Sequence, residues 1–317
     1  MTSSESDEFE VIDQLEASLS PEELVKVQLW LQPTDYDAQS SEFHRHLSSQ
    51  APGTGLWICE TSKYQQWQNS ADHGSLWVKG APGAGKSVTA ASMIEHLRRH
   101  DDTPILYFFF RYIISANRRP RSLIRDFLAQ LLPHSIRLQA TLQPLVGTDL
   151  DDFSDEILWE HFLTGLSSIK KAYCVVDALD EMELVPNDRF LNRLNDLATF
   201  RPNVKLLMTS RPKQYLQSGL RDTSIVHISL EDDLVGKDIG LFVSYRLKSV
   251  LPDDSQRILR ESLASKIAER SRGLFLYARL LLDQIIPSLK STALDVENLM
   301  KTIPVGLEEM YNSSKQL

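Results

Sequence analysis

Gly80, Ala81, Pro82, Gly83, Ala84, Gly85, Lys86 and Ser87 fit the spacing GxxxxGK[ST], a pattern suited to holding phosphate groups. The glycines let the backbone wrap closely enough for successive N–H groups to point at phosphate oxygens, and a helix opening at Lys86 adds its positive end. Lys86 is expected to reach the β- and γ-phosphates. Ser87, with Val88 closing the cradle behind it, is expected to give its hydroxyl to Mg²⁺, a hard ion that prefers oxygen. A cation held from one side needs a carboxylate on the other, and Asp177, which ends the apolar run Ala172-Tyr173-Cys174-Val175-Val176, has the type and place for that Walker B role. Asp180 and Glu181 are candidates to orient an attacking water; the plainer alternative is an exposed pair at a helix start. Arg211, after the run Val204 to Thr209, would set a guanidinium near the γ-phosphate and tell triphosphate from diphosphate. An Arg before Pro212 is otherwise as readily structural.

These residues need elements to hold them. Leu76-Trp77-Val78 predicts a strand over 75–79 leading into the glycine run, and a helix over 86–99 follows it. Then come a strand over 104–110, helices within 121–168, a strand over 172–178, a helix near 188–199, and strands over 204–209 and 225–229. Such alternation predicts an α/β domain on a parallel sheet. The unbroken apolar runs Ile105 to Phe110 and Tyr173 to Val176 suit strands covered on both faces. Beyond residue 230 the pattern is helical only, with candidates at 232–250, 254–270, 274–287 and 293–301.

Ahead of the sheet, Phe9, Val11, Ile12, Leu15 and Leu19 suggest a short amphipathic helix, and Ser20-Pro21-Glu22-Glu23 opens another that ends near Pro33. Pro52-Gly53-Thr54-Gly55 reads as a turn, and a helix is expected near Ser62 to Gln68. The organisation expected is a helical lead segment over 1–70, a nucleotide-binding α/β domain over 71–230 and a helical domain over 231–317.

With 42% hydrophobic residues in 317, the chain can fill a sizeable core. A formal charge of −9 argues against general affinity for nucleic acid. No apolar run spans a bilayer and the start, MTSSESDEFE, is acidic where a secretory signal is basic and then apolar, so the expected compartment is the cytoplasm, with no membrane partner. Cys59 and Cys174 form at most one bridge and make no metal site. Arg118-Arg119-Pro120-Arg121 reads as a solvated loop or phosphate-facing rim opening a helix, and Asp149 to Glu156 as an exposed acidic loop running into a helix start.

Taken in order, GAPGAGKS, VVDALDE and LLMTSRP, with small Ala178 directly after Asp177, resemble the NACHT NTPases of the STAND class. The flanks narrow the resemblance to the fungal vegetative-incompatibility and nephrocystin-3-like type: Trp30-Leu31, Pro33-Thr34-Asp35-Tyr36, Gly53 to Trp57, Tyr64-Gln65-Gln66-Trp67, Tyr107 to Phe110, Leu123 to Leu131, and Ser271 to Ala278. The resemblance covers about residues 28–312. It implies a five-stranded parallel P-loop sheet with the phosphate-loop and metal strands near its centre, followed by a helical domain closing over the nucleotide. It also implies a switch in which ADP holds a closed form, ATP permits homo-oligomerisation, and hydrolysis with Mg²⁺ is slow.

The sequence departs from that pattern in places. Relatives usually carry a winged-helix region and a repeat array, and this sequence ends at Leu317 where the former would begin, after Met300 to Leu307. The first 28 residues are short for an effector domain. Where relatives often have Gly-x-Pro touching adenine, this chain reads Gly273-Leu274-Phe275. ATP/ADP and GTP both stay open as ligands. So do a P-loop ATPase with real turnover and a truncated scaffold with an idle site.

Overall fold

The structure, a computed structural model, describes residues 18–70, 72–183, 189–220, 224–230 and 232–289. The expected amphipathic helix before residue 18, the helix at 293–301 and the segment Met300 to Leu307 lie outside the described residues.

The chain opens with α1 (Pro21–Leu31), whose start is built as its sequence dictates. Ser20 Oγ accepts from Glu23 N at 3.3 Å and the Glu23 carboxylate accepts from Ser20 N at 2.9 Å, so two end donors of the helix are satisfied reciprocally. The helix stops at Gln32, which takes a left-handed φ of 46°. Three short helices follow: α2 (Glu42–Ser48), α3 (Trp57–Glu60) and α4 (Ser62–Asn69). Neither α2 nor a helical α3 was expected, since the first is too short to show a clear period.

Next come β1 (Ser75–Lys79), α5 (Lys86–His100), β2 (Ile105–Phe109), α6 (Pro120–Leu131), α7 (Ile136–Leu142), α8 (Asp155–Leu166) and β3 (Ala172–Asp177). They are followed by α9 (Phe190–Thr199), β4 (Val204–Ser210), α10 (Gln214–Gly219) and β5 (Val226–Ser229). The five strands pair in parallel in the order β2-β3-β4-β1-β5. β4 is therefore the middle strand, with the phosphate-loop strand β1 and the carboxylate strand β3 on either side. The five-stranded parallel P-loop sheet expected from the sequence is what forms.

Alternate residues of the strands face opposite layers. Trp77, Leu106, Cys174, Val176, Leu206 and Met208 pack on one side with α6, α8 and α9. Leu76, Val78, Tyr107, Tyr173, Val175 and Leu207 pack on the other with α5. Both layers are completed by the lead segment: Val27 and Leu31 of α1 join the first, and Phe43, Tyr64 and Trp67 the second. Full burial of side chains of this size stabilises by about 1.5–3 kcal/mol each, so the lead helices are part of what holds the sheet.

Polar contacts fix the same packing. Arg125 of α6 donates to the carbonyls of Leu31 and Gln32, and the neighbouring Asp126 accepts from Thr34 N at 2.7 Å and from the Thr34 hydroxyl. Arg121 is no solvated rim: its guanidinium donates to Leu150 O at 2.7 Å, to Phe153 O at 2.8 Å and to Asp155 at 2.8 Å, which clamps the acidic stretch onto α6. Arg118 and Arg119 both face Glu183.

The last unit consists of α11 (Asp232–Lys248), α12 (Arg257–Ser271) and α13 (Phe275–Leu289) around a core of Ile239, Val243, Leu263, Ile267, Leu281 and Leu282. It is tied to the lead segment by Asp238 of α11, 6% exposed, which accepts from Gly55 N at 2.7 Å and from Trp57 Nε1 at 3.0 Å. Among the described residues no helix is long and apolar enough to cross a membrane.

Candidate nucleotide site

The glycine run leaves β1 at its C-terminal end, the edge where parallel α/β sheets present ligand sites. Gly80 N still donates to Ser210 O of β4 at 3.3 Å, after which the backbone turns over. Gly83 and Gly85 take φ of 82° and 89°, conformations that side chains with a Cβ rarely adopt. Gly85 caps α5 without offering a side chain to its first turn, which leaves the N–H groups there available to a ligand. Ala81 and Pro82 lie on the exposed outer side of the run, and Ser87 and Val88 follow Lys86 in the first turn.

Lys86 Nζ donates to Gly80 O and Ala81 O at 2.9 Å each. Burial pulls its pKa down, while Asp180 and Asp177 push it back up and the Arg211 charge lowers it further. The same four residues named from sequence, Asp177, Asp180, Glu181 and Arg211, thus act on the one ammonium. Asp177 is 1% exposed, and burial raises its carboxyl to about 6, against hydrogen bonds from Thr209 and Ser87 and the Lys86 charge. Ser87 and Asp177, the pair expected to face Mg²⁺ from opposite sides, therefore lie near enough for the hydroxyl to act on the carboxyl.

Asp180 and Glu181 sit in a tight turn entered through Ala178 in a left-handed conformation, φ 52° and ψ 45°. Their two carboxylates differ in kind. The Asp180 side chain is 3% exposed, accepts from Arg211 N at 2.9 Å and pairs with Arg211 Nε at 3.2 Å. Glu181 is more open, accepts from Tyr112 N at 3.2 Å, and lies 3.8 Å from Arg211 Nη2. An exposed helix-start pair therefore does not describe Asp180. Arg211 itself is anchored by backbone and Nε, and its side chain is 41% exposed.

Two features went unread in the sequence. Thr209, wholly buried, links Asp177 to the Ala178 amide, but in a strand it looks like any β-branched residue. The helical unit touches the glycine run: Leu276 N donates to Gly83 O at 3.2 Å, and a Cβ on Gly83 would stand 2.7 Å from Leu276 Cβ. The Phe275 ring lies beside Gly85 and meets Phe242 edge-on at 5.8 Å. Gly273-Leu274-Phe275, singled out for lacking a proline, thus borders the phosphate loop.

The donor set suits Mg²⁺ with a nucleotide better than a cation held by protein alone. Among the described residues no group of three or more His, Cys, Asp or Glu could hold a metal ion. One carboxylate and one hydroxyl beside a phosphate cradle are what Mg²⁺ takes when phosphates and water fill its remaining positions.

The family model described as Nephrocystin 3, N-terminal, matches residues 53–211, half of the chain and the span from the lead turn to Arg211. The chain belongs to the nephrocystin-3 N-terminal family. Vegetative incompatibility protein HET-E-1 of Podospora anserina is 22% identical to this nephrocystin-3-type domain over an alignment of 272 residues that covers 80% of the chain. The chain spans about a fifth (20%) of that relative's length. Solved structures with a similar course include the Orc1 protein of Aeropyrum pernix in complex with DNA, at 14% identity and a TM-score of 0.46 over 90% of this chain and 68% of that one. PCH-2 of C. elegans is 13% identical with a TM-score of 0.44 over 86% and 72% of the two chains. Cdc6p of Pyrobaculum aerophilum gives 12% and 0.42 over 76% and 65%. Likeness this distant adds no functional argument. The nephrocystin-3-type domain is a P-loop NTPase-type nucleotide-binding domain of the NACHT-like group.

Proposed function

We propose that this nephrocystin-3-type domain is a Mg²⁺-nucleotide switch of the NACHT/STAND type, with slow hydrolysis coupled to a change in conformation or self-assembly. In it the run Gly80 to Val88 binds the phosphates, Ser87 and Asp177 hold Mg²⁺, and Arg211 senses the γ-phosphate with Asp180 and Glu181 beside it. ATP and ADP are the ligands proposed, with GTP as the competitor to test. The working units are the lead segment to residue 70, the nucleotide-binding domain over 71–230 and the helical domain from 231.

One observation carries this reading: the helical unit reaches the phosphate loop, Leu276 N on Gly83 O, while Arg211 and Lys86 face the same acids. A ligand moves such a unit only through its different affinity for two states, and a γ-phosphate beside Arg211 supplies a difference. The ion pair that occupies Asp180 favours a sensing role over that of a free general base. Binding is checked by calorimetry with Lys86→Ala: removing the phosphates' main side-chain cation should weaken affinity about 10–100-fold, since hydrogen bonds to charged groups are worth about 1.5–3 kcal/mol. Unchanged affinity would sink the phosphate-loop assignment. Turnover is expected far below the median enzyme rate of about 10 per second, with a larger particle by light scattering in ATP than in ADP. Rates near that median with one particle size throughout would replace the switch by an ordinary ATPase.

A further inference from the structure

Thr209 carries no charge and is fully buried in the middle strand, yet its hydroxyl stands between two groups that shape one wall of the site. Oγ1 donates to Asp177 Oδ1 and accepts from Ala178 N at 3.1 Å. A hydroxyl has a single hydrogen. With the Ala178 N–H occupying a lone pair, that hydrogen is directed at Asp177, so one carboxylate oxygen is committed to β4 and the plane of the group is set. Ser87, in the first turn of α5, lies near enough to act on the same carboxylate.

The second bond acts on the backbone. Ala178 is one of three non-glycine residues with positive φ among the described residues, a conformation that costs roughly 1–2 kcal/mol. It is also the residue that turns the chain out of β3 so that Asp180 meets Arg211. Its N–H is buried and Thr209 is its partner.

We infer that Thr209 is a positioning residue for the cation-facing carboxylate: its hydroxyl fixes the rotation of Asp177, so that the oxygen not bound to β4 is the one offered to Mg²⁺ and its waters. The inference rests on Ser87 and Asp177 being the protein side of the Mg²⁺ site. Register supports it, because Thr209 lies opposite Val78 on β1, two residues before the glycine run, and so spans from β3 toward β1 at the level of the loop.

The test is the Mg²⁺-dependent gain in ADP and ATP affinity, measured by calorimetry as the ratio of binding with Mg²⁺ to binding with EDTA. Wild type, Thr209→Val, Thr209→Ala and Thr209→Ser are compared, with thermal melting to establish folding. Loss of a residue that orients a metal ligand costs about 10–100-fold in metal affinity, so Val and Ala should lose at least about tenfold of the Mg²⁺ gain and keep their EDTA affinity within about twofold. Ser, which keeps the hydroxyl, should restore the gain. A gain that persists in whichever of Val or Ala folds, or that is lost equally in Ser, overturns the role of Thr209 alone. Absence of nucleotide binding by the wild type under both conditions overturns the site reading and this inference with it.

Discussion

Arg211 shows how one side chain can serve two ends at the nucleotide edge. Its backbone N–H and Nε are both spent on Asp180, which leaves the outer nitrogens of its fork, one of them 3.8 Å from Glu181, for a phosphate. Replacing it with Ala should therefore do two things. The preference between ATP and ADP should narrow by about tenfold, as expected when a charge-assisted contact to one phosphate is lost. Asp180, 3% exposed, should also lose its nearest counter-charge, and because the Arg211 side chain is 41% exposed the destabilisation should be about 1 kcal/mol. Calorimetry with the two nucleotides and a melting curve separate these effects, and an unchanged affinity ratio would leave Arg211 purely structural. The glycines, Lys86, Ser87, Asp177 and Arg211 could be found in the sequence because each belongs to a fixed spacing or ends an apolar strand. Thr209 could not, because its partner Asp177 lies 32 positions away and nothing local distinguishes its hydroxyl from a β-branched packing residue.

At the level of helices and strands, the alternation of apolar runs with amphipathic stretches predicts all five strands and the longer helices of the sheet layers, but not α10. The short lead helices were harder to see. α2 is seven residues long and α3 four, too short for a period to emerge, and their burial depends on Phe43 and Ile58 meeting a sheet formed later in the chain. What seats the segment after α1 is Asp126 on α6, whose carboxyl burial pushes up to about 7 although Thr34 donates to it twice. Since the folded state raises this pKa, the group's contribution to stability is complete below about pH 4 and is lost as pH rises through about 7. Three pKa units correspond to about 4 kcal/mol at most. The melting temperature of Asp126→Asn, a neutral mimic of the protonated acid, should exceed that of the wild type at pH 8 and converge with it as pH falls to about 4. A difference that stays constant over this range would remove Asp126 as the cause.

Among the described residues, two polar contacts tie the helical unit to the rest of the molecule. One is the contact of Leu276 with Gly83, and the other is Asp238 receiving Gly55 N–H and Trp57 Nε1–H. Asp238→Ala would leave both donors without an acceptor, at about 1–3 kcal/mol each where they are buried. We expect a lower melting temperature and faster proteolysis between β5 and α11. A cleavage pattern identical to wild type would mean that the apolar contacts of Trp57 and Leu230 suffice to seat the helical unit. No sequence pattern announces this joint, because an acid on an amphipathic helix reads as a solvent-facing position until the chain folds back upon it.

The Asp238 joint also bears on synthesis. Gly55 and Asp238 are 183 residues apart, so at about 5–20 residues per second the lead turn leaves the ribosome roughly 10–40 s before its acceptor exists. Over that interval the sheet strands can assemble on the lead helices while the Trp57 indole N–H still waits for a partner. Early in the life of each molecule, the nucleotide-binding half is complete and its helical cover is not.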